Sequence, residues 1–164
     1  KYRSELMDVF LGSTSKFCLG TSSGYYAIPK CFSVPVLLSD CPNHLCYFEL
    51  GATDLYLPRL FKFKENDKLI NFNKIFLPPF NNLFNDKMYS KFNVSVIPNT
   101  PDEIKLATQE IIDRVVYKKL TAETDLQKKI NNKIENSIKT NTDLRLTPSS
   151  IISSNFLEKY KYLI

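Results

Sequence analysis

The hydrophobic positions of this chain change period several times, and each change predicts an element. From Tyr2 to Gly12, Leu6, Val9 and Phe10 recur at helical spacing with charges on the other side, predicting an amphipathic helix that Gly12 stops. Lys16-Phe17-Cys18-Leu19-Gly20 is a short apolar run closed by glycine, the pattern of a buried strand. Thr21 to Gly24 is a turn of small residues in which Ser22 or Ser23 can cap a following helix. That helix, Tyr25 to Phe32, is kept short by Pro29. Val34-Pro35-Val36-Leu37-Leu38-Ser39-Asp40 is a second apolar strand with a polar end. Helix, strand, turn, helix and strand within about 40 residues predict a parallel α/β sheet, because parallel strands need helical crossovers.

Residues 41–90 are rich in Pro, Asn and Phe, with "LYLPRLFKF" and "IFLPPFNNLF" as apolar anchors between turn signals. They predict irregular structure with short helices. Asn93 to Pro98 reads as a third short strand. Thr100 at the N-cap, Pro101 at the first helical position and Glu103 two further on predict a capping box. The helix it opens carries Ile104, Ala107, Ile111 and Val115 on one face and is expected to run to about Lys119. A more polar helix follows from about Glu123 to Ile138, with a narrow stripe of Leu126, Ile130 and Ile134. Ser153 to Tyr160 closes the chain as a short capped helix.

Composition sharpens this picture at a few points. A chain of 164 residues with 43% hydrophobic and 24% charged residues can build one domain with a real core. No apolar run approaches the ~18 residues of a membrane span. Lys1-Tyr2-Arg3-Ser4-Glu5 contains neither an initiator Met nor a signal-peptide core, so the chain is expected to begin inside a longer protein. Much of the net charge of +5 lies in the C-terminal third, at Lys118-Lys119, Lys128-Lys129 and Lys133. These lysines read as solvated helix faces. No aromatic-interleaved basic motif accompanies them, so nucleic acid is not an expected partner, while peripheral contact with an anionic membrane surface stays open. Cys18 and Cys31 lie in apolar runs and suit buried, reduced thiols in a cytoplasmic protein. Cys41, His44 and Cys46 cluster but lack a fourth ligand and a zinc-site spacing, so no metal is expected. The Asn93-Val94-Ser95 sequon falls in a predicted strand and is set aside.

Ligands of open α/β sheets bind beyond the carboxyl ends of the strands. Three loops qualify: Gly20–Gly24, Asp40–Cys46 and Asn99–Glu103. The first alone is glycine-rich, so its backbone can approach a ligand closely, and Thr21, Ser22 and Ser23 add hydroxyl donors ahead of a helix N-terminus. A phosphate or pyrophosphate suits it. The turn is neither a Walker A loop nor GxGxxG, however, and a tight strand-to-helix turn uses the same residues, so the residues leave both readings open. Asp40, at a strand end, reads as a turn cap or an acceptor for a sugar hydroxyl, with Glu49, Asp54 and Glu103 as further acids. Glu103 has a structural task in the capping box. His44, the only histidine, reads as a solvent-facing loop residue, and no nucleophile has a recognisable base partner.

Taken together, "MDVFLGSTSKFCLGTSSGYYAIPKCFSVPVLLSD", "DLYLPRLF", "NTPDEI" and the closing "SSNFLEKYKYLI" resemble the C-terminal part of a family of bacterial glycosyltransferases from surface-polysaccharide loci. More distantly, the strand, TSSG turn, helix and VP-strand are similar to the donor-side motif of GT-B heptosyltransferases and fucosyltransferases. The resemblance covers most of residues 4–115 and the final segment. It implies a partial Rossmann-like, GT-B C-terminal domain, with residues 1–120 as the nucleotide-sugar-binding portion and residues 121–164 as a helical extension of the same domain. It implies further that Thr21, Ser22, Ser23 and Gly24 contact the donor diphosphate. The nucleotide sugar would be a substrate; no separate cofactor or metal is implied. The acceptor would be a cell-surface glycan or lipopolysaccharide, or another lipid-linked glycan. Heptosyltransferases carry a His shortly after the turn, where this chain has Tyr25-Tyr26-Ala27-Ile28. The acceptor-activating base of such enzymes belongs to the N-terminal domain of the parent protein, so no catalytic residue is assigned. The rival expectation is a non-catalytic α/β interaction module with a basic helical C-terminus.

Overall fold

The computed structural model of the protein describes residues 4–41, 44–119, 122–141 and 149–164. Helix α1 (Glu5–Thr14) is capped by Ser4, whose hydroxyl accepts from the Met7 N–H. Strand β1 (Cys18–Gly20) leads through the small-residue turn and a single 3₁₀ turn, Gly24–Tyr26, into the five-residue α2 (Ala27–Cys31). Pro29 is tolerated there because a helix this short asks little of its early N–H groups. Strand β2 (Val36–Cys41) and the short α3 (Cys46–Glu49) follow.

The middle of the chain is more ordered than its composition predicts. Leu55–Pro58 forms β3 and Leu60–Phe63 forms β4, followed by α4 (Phe72–Ile75), α5 (Asp86–Lys91) and β5 (Val94–Ile97). Helices α6 (Pro101–Val115) and α7 (Asp125–Asn141) are the two long ones. The chain closes with β6 (Ile151–Ile152), α8 (Ser154–Lys159) and a 3₁₀ turn.

The protein is α/β. Its main sheet has the order β1-β2-β3-β6, and every neighbouring pair is parallel. Val36, Leu37 and Leu38 are all buried, as are all four residues of β3, so both faces of the central strands are covered. The expected third strand, Asn93 to Pro98, does form, as β5. It pairs antiparallel with β4 in a separate ribbon, Phe61 opposite Val96 and Phe63 opposite Val94. The third strand of the main sheet is instead β3, drawn from the stretch expected to be irregular. The two-residue β6 went unread because its pairing with Leu55 and Tyr56 is non-local.

Gly12 does not stop α1; it lies buried within the helix. A Cβ there would stand 2.9 Å from Ile28 Cγ2, so the glycine sets the close approach of α1 to α2. The apolar positions of α1 do not face the core: Leu6 is 79% and Phe10 56% exposed, and Val9 is exposed too. In contrast, Ala107 and Ile111 of α6 and Ile130, Ile134 and Ile138 of α7 are buried as their spacing requires. Helix α6 packs on β2 and β3, while α7 packs on α4, α8 and β6. No described helix is long and apolar enough to cross a membrane.

Candidate functional site at the carboxyl edge of the sheet

Strand β2 ends in an irregularity that organises its surroundings. The register with β3 runs Ser39 opposite Leu57, then Cys41 opposite Pro58, so Asp40 is bulged out of the ladder. Its φ of 54° lies in the left-handed region that Asp adopts more readily than most side chains. The Asp40 N–H, released from the ladder, donates to Asn99 Oδ1 at 2.7 Å, and the Asn99 N–H donates back to Asp40 Oδ1 at 3.1 Å. Asn99 Nδ2 reaches the Pro58 carbonyl at 2.9 Å. Arg59 adds Nε to Asp40 Oδ1 at 3.0 Å and Nη2 to the Asp40 carbonyl at 2.8 Å. The ends of β2 and β3 and the start of α6 are thereby tied to one residue.

The glycine-rich turn joins the same hub. Thr21 Oγ1 donates to the Asp40 carbonyl at 3.4 Å, and Ser39 Oγ lies 3.5 Å from the Gly20 carbonyl. Thr21, Ser23 and Gly24 are exposed and Ser22 is half-buried. The structure therefore brings together all three loops singled out in the sequence. It changes which helix follows at useful length. α2 is five residues long and is preceded by a 3₁₀ turn, and Ser23 makes no side-chain cap. α6 runs for fifteen residues, and its N-terminus adjoins Asn99. Its capping box forms as read: the Glu103 N–H donates to Thr100 Oγ1 at 3.3 Å, and Glu103 Oε2 accepts from the Thr100 N–H at 2.9 Å. Burial opposes ionisation of Glu103, but hydrogen bonds from Lys159, the Thr100 N–H and Tyr160 outweigh it and hold its pKa below the usual range.

The remaining acids are structural. Asp54 is buried, accepts from the N–H groups of Val36 at 2.9 Å and Gly51 at 2.7 Å, and pairs with Lys30. Glu49 accepts a hydrogen bond from the Tyr26 hydroxyl, whose pKa is raised by burial first and by that bond second.

Two expectations about the Cys41–Cys46 stretch are corrected. His44 is not solvent-facing: it is 0% exposed, its Nδ1 lies 2.9 Å from the Tyr56 hydroxyl, and its ring packs among Phe61 and Phe76. Burial, helped by the Arg59 charge, lowers its pKa to about 3, so it is neutral. The buried thiols are also the other pair. Cys31 is exposed and Cys18 half-buried, whereas Cys41 and Cys46 are buried. A hydrogen bond between those two, together with burial, pushes the Cys41 thiol up, and the same bond draws Cys46 down, with Ser22 beside both. Among the described residues, no three His, Cys, Asp or Glu side chains are grouped to hold a metal ion.

Sequence reasoning missed Arg59, although "YLPRLF" places a cation immediately after an apolar strand, where a strand-end ligand would meet it. It also missed Glu110. This buried carboxylate accepts from Arg114 at 3.1 Å, Gln127 at 3.0 Å, Ser153 Oγ at 2.9 Å and the Ser154 N–H at 2.8 Å, pinning α6, α7 and α8 together. In comparisons with family models, curated proteins and solved structures, no match to the chain is found.

Proposed function

We propose that this chain is the donor-binding portion of a glycosyltransferase, with a Rossmann-like sheet whose carboxyl edge receives the diphosphate of a nucleotide-sugar donor. The observation that carries the reading is the convergence on Asp40. Thr21 of the exposed turn, Arg59 after β3 and Asn99 before α6 all bond to it, so an anion-suited turn, a guanidinium and a helix start share one edge. In this reading the hydroxyls of Thr21, Ser22 and Ser23 and the backbone at Gly24 contact the diphosphate. The partial positive end of α6 makes the edge favourable for it, and the Arg59 guanidinium adds N–H donors while Asp40 balances its charge. As the sugar–oxygen bond breaks, charge builds on the departing diphosphate, and preorganised donors stabilise it there. Activation of the acceptor, a cell-surface or lipid-linked glycan, belongs to the N-terminal domain of a parent protein. In this reading the described residues serve the donor.

Isothermal calorimetry with a panel of nucleoside diphosphates and nucleotide sugars tests this. Saturable binding of at least one nucleotide, weakened at least tenfold in a Ser22→Ala/Ser23→Ala variant, supports the proposal. Binding that survives that variant unchanged, or no binding across the panel at millimolar nucleotide, refutes it.

A second reading, an interaction module without catalysis, is favoured by one observation. Helix α1 presents Leu6, Phe10 and Leu11 to solvent, a face suited to covering by another domain or protein.

A further inference from the structure

A cavity of about 430 Å³ opens between the β4–β5 ribbon and α5, lined by Arg59, Lys64, Asp86, Tyr89, Ser90 and Ser95 with two valines as apolar wall. Such a volume accommodates a small organic ligand. Its polar groups lean toward donors: Lys64, three hydroxyls and Arg59, whose charge Asp40 balances, against the single acid Asp86. The ribbon brings them together: Lys62 pairs with Ser95 across the two strands, and the Lys64 N–H bonds the Asn93 carbonyl where β4 ends. Lys64 has no ion-pair partner among the described residues.

Charge and the number of acceptor oxygens decide which anion fits. The Arg59 side chain is 19% exposed, and Nε and Nη2 are committed to Asp40. Asp40 takes one edge of the guanidinium, which also lines the cavity beside Tyr89, and the remaining N–H groups are available to an anion there. A carboxylate brings one negative charge and two oxygens to these donors. A phosphomonoester brings close to two charges and three acceptor oxygens near neutral pH, and so suits the Arg59 guanidinium, the Lys64 ammonium and the hydroxyls of Ser90 and Ser95 better.

We propose that this cavity is a binding site for the phosphate group of a small phosphomonoester of about sugar size, separate from the turn at residues 21–24. It does not depend on the transferase reading: Lys64, Ser90 and Ser95 play no part in the turn, and Arg59, which serves both, links the two through Asp40.

The test is calorimetric or NMR titration of the protein with inorganic phosphate, glucose 1-phosphate, glucuronate and glucose. The expected result is saturable binding of both phosphates, glucose 1-phosphate the tighter, with glucuronate and glucose at least tenfold weaker. Lys64→Gln, an exposed position outside the Asp40 hub, should weaken phosphate at least fivefold, and Ser95→Glu should abolish it. Arg59→Gln should abolish it as well; should that variant unfold, the Lys64 and Ser95 variants decide. Ser22→Ala/Ser23→Ala, in the turn, should leave the phosphate-induced amide shifts of Ser90 and Val96 unchanged. Phosphate-induced shifts at Ser90 and Val96 that persist in Lys64→Gln and Ser95→Glu overturn the proposal, as does their loss in the Ser22/Ser23 variant. Equal binding of glucuronate, or no phosphate binding at all, overturns it too.

Discussion

Asp40 and Asn99, 59 residues apart, exchange hydrogen bonds in both directions: the Asp40 N–H donates to Asn99 Oδ1 and the Asn99 N–H donates to Asp40 Oδ1. This reciprocal pair stands in for the ladder bond lost at the β2 bulge and couples the end of β2 to the start of α6. Asn99→Ala leaves the Asp40 N–H and the Pro58 carbonyl without these partners and should cost about 2 kcal/mol in a denaturant melt. Asp40→Ala should be less stable than Asp40→Gly by about 1 kcal/mol, because glycine accepts the φ of 54° that alanine resists. Equal stabilities of the two Asp40 variants would contradict the left-handed bulge.

Glu110 should be among the most costly charged side chains to remove. Glu110→Ala strips the acceptor from Arg114, Gln127, Ser153 and the Ser154 N–H together, and should lose about 3–5 kcal/mol. Glu110→Gln should fall in between, since its amide keeps one oxygen but turns N–H groups toward donors. Thermal melts of the two variants check the order.

His44 predicts an acid-sensitive fold. Its folded pKa, near 3, lies well below the ordinary value of 6.5, so the unfolded chain binds a proton that the folded one refuses. Stability is therefore retained above pH 6.5 and declines as pH falls toward 3. The loss should reach about 3 kcal/mol by pH 4. A His44→Phe variant keeps a ring among Phe61 and Phe76 and should lose that part of the slope. Urea melts at pH 7, 5.5 and 4 on both proteins measure the difference.

Gly12→Ala sets helix propensity against contact. Alanine gains about 1 kcal/mol inside a helix, yet its Cβ would press on the branched Ile28 side chain at 2.9 Å. The contact should win, for a net loss of about 1 kcal/mol in a chemical melt; a stabilised Gly12→Ala protein would contradict the close approach of α1 and α2.

Local signals in the sequence were reliable where a single element carried its own explanation. The Thr100–Glu103 capping box, the buried stripe of α7 and the apolar run of β2 needed no partner to be read, whereas the run read as a buried strand forms β1 at the sheet edge with Leu19 exposed. What escaped depended on distant contacts. Leu55–Pro58 looks like one anchor among many until β2 and β6 flank it, and Asn93–Pro98 reads as another parallel strand until Leu60–Phe63 offers an antiparallel edge. His44 reads as exposed because it follows the turn residues Pro42-Asn43; the aromatic rings that bury it come from positions 56, 61 and 76. The candidate turn was visible from composition. The residue that joins it to the rest of the edge, Asp40, was visible only as a strand end, since a bulge has no one-residue signature.

The account stands or falls on whether the turn at residues 21–24 holds a diphosphate. Two-dimensional amide NMR of the protein titrated with uridine diphosphate, guanosine diphosphate and cytidine monophosphate reads this directly. The account predicts that at least one of the two diphosphates shifts the amides of Thr21, Ser22, Ser23 and Gly24 first and most, with Asn99 and Thr100 following and the monophosphate weaker. Shifts that leave those four amides unmoved at saturating nucleotide, whatever else responds, would contradict it.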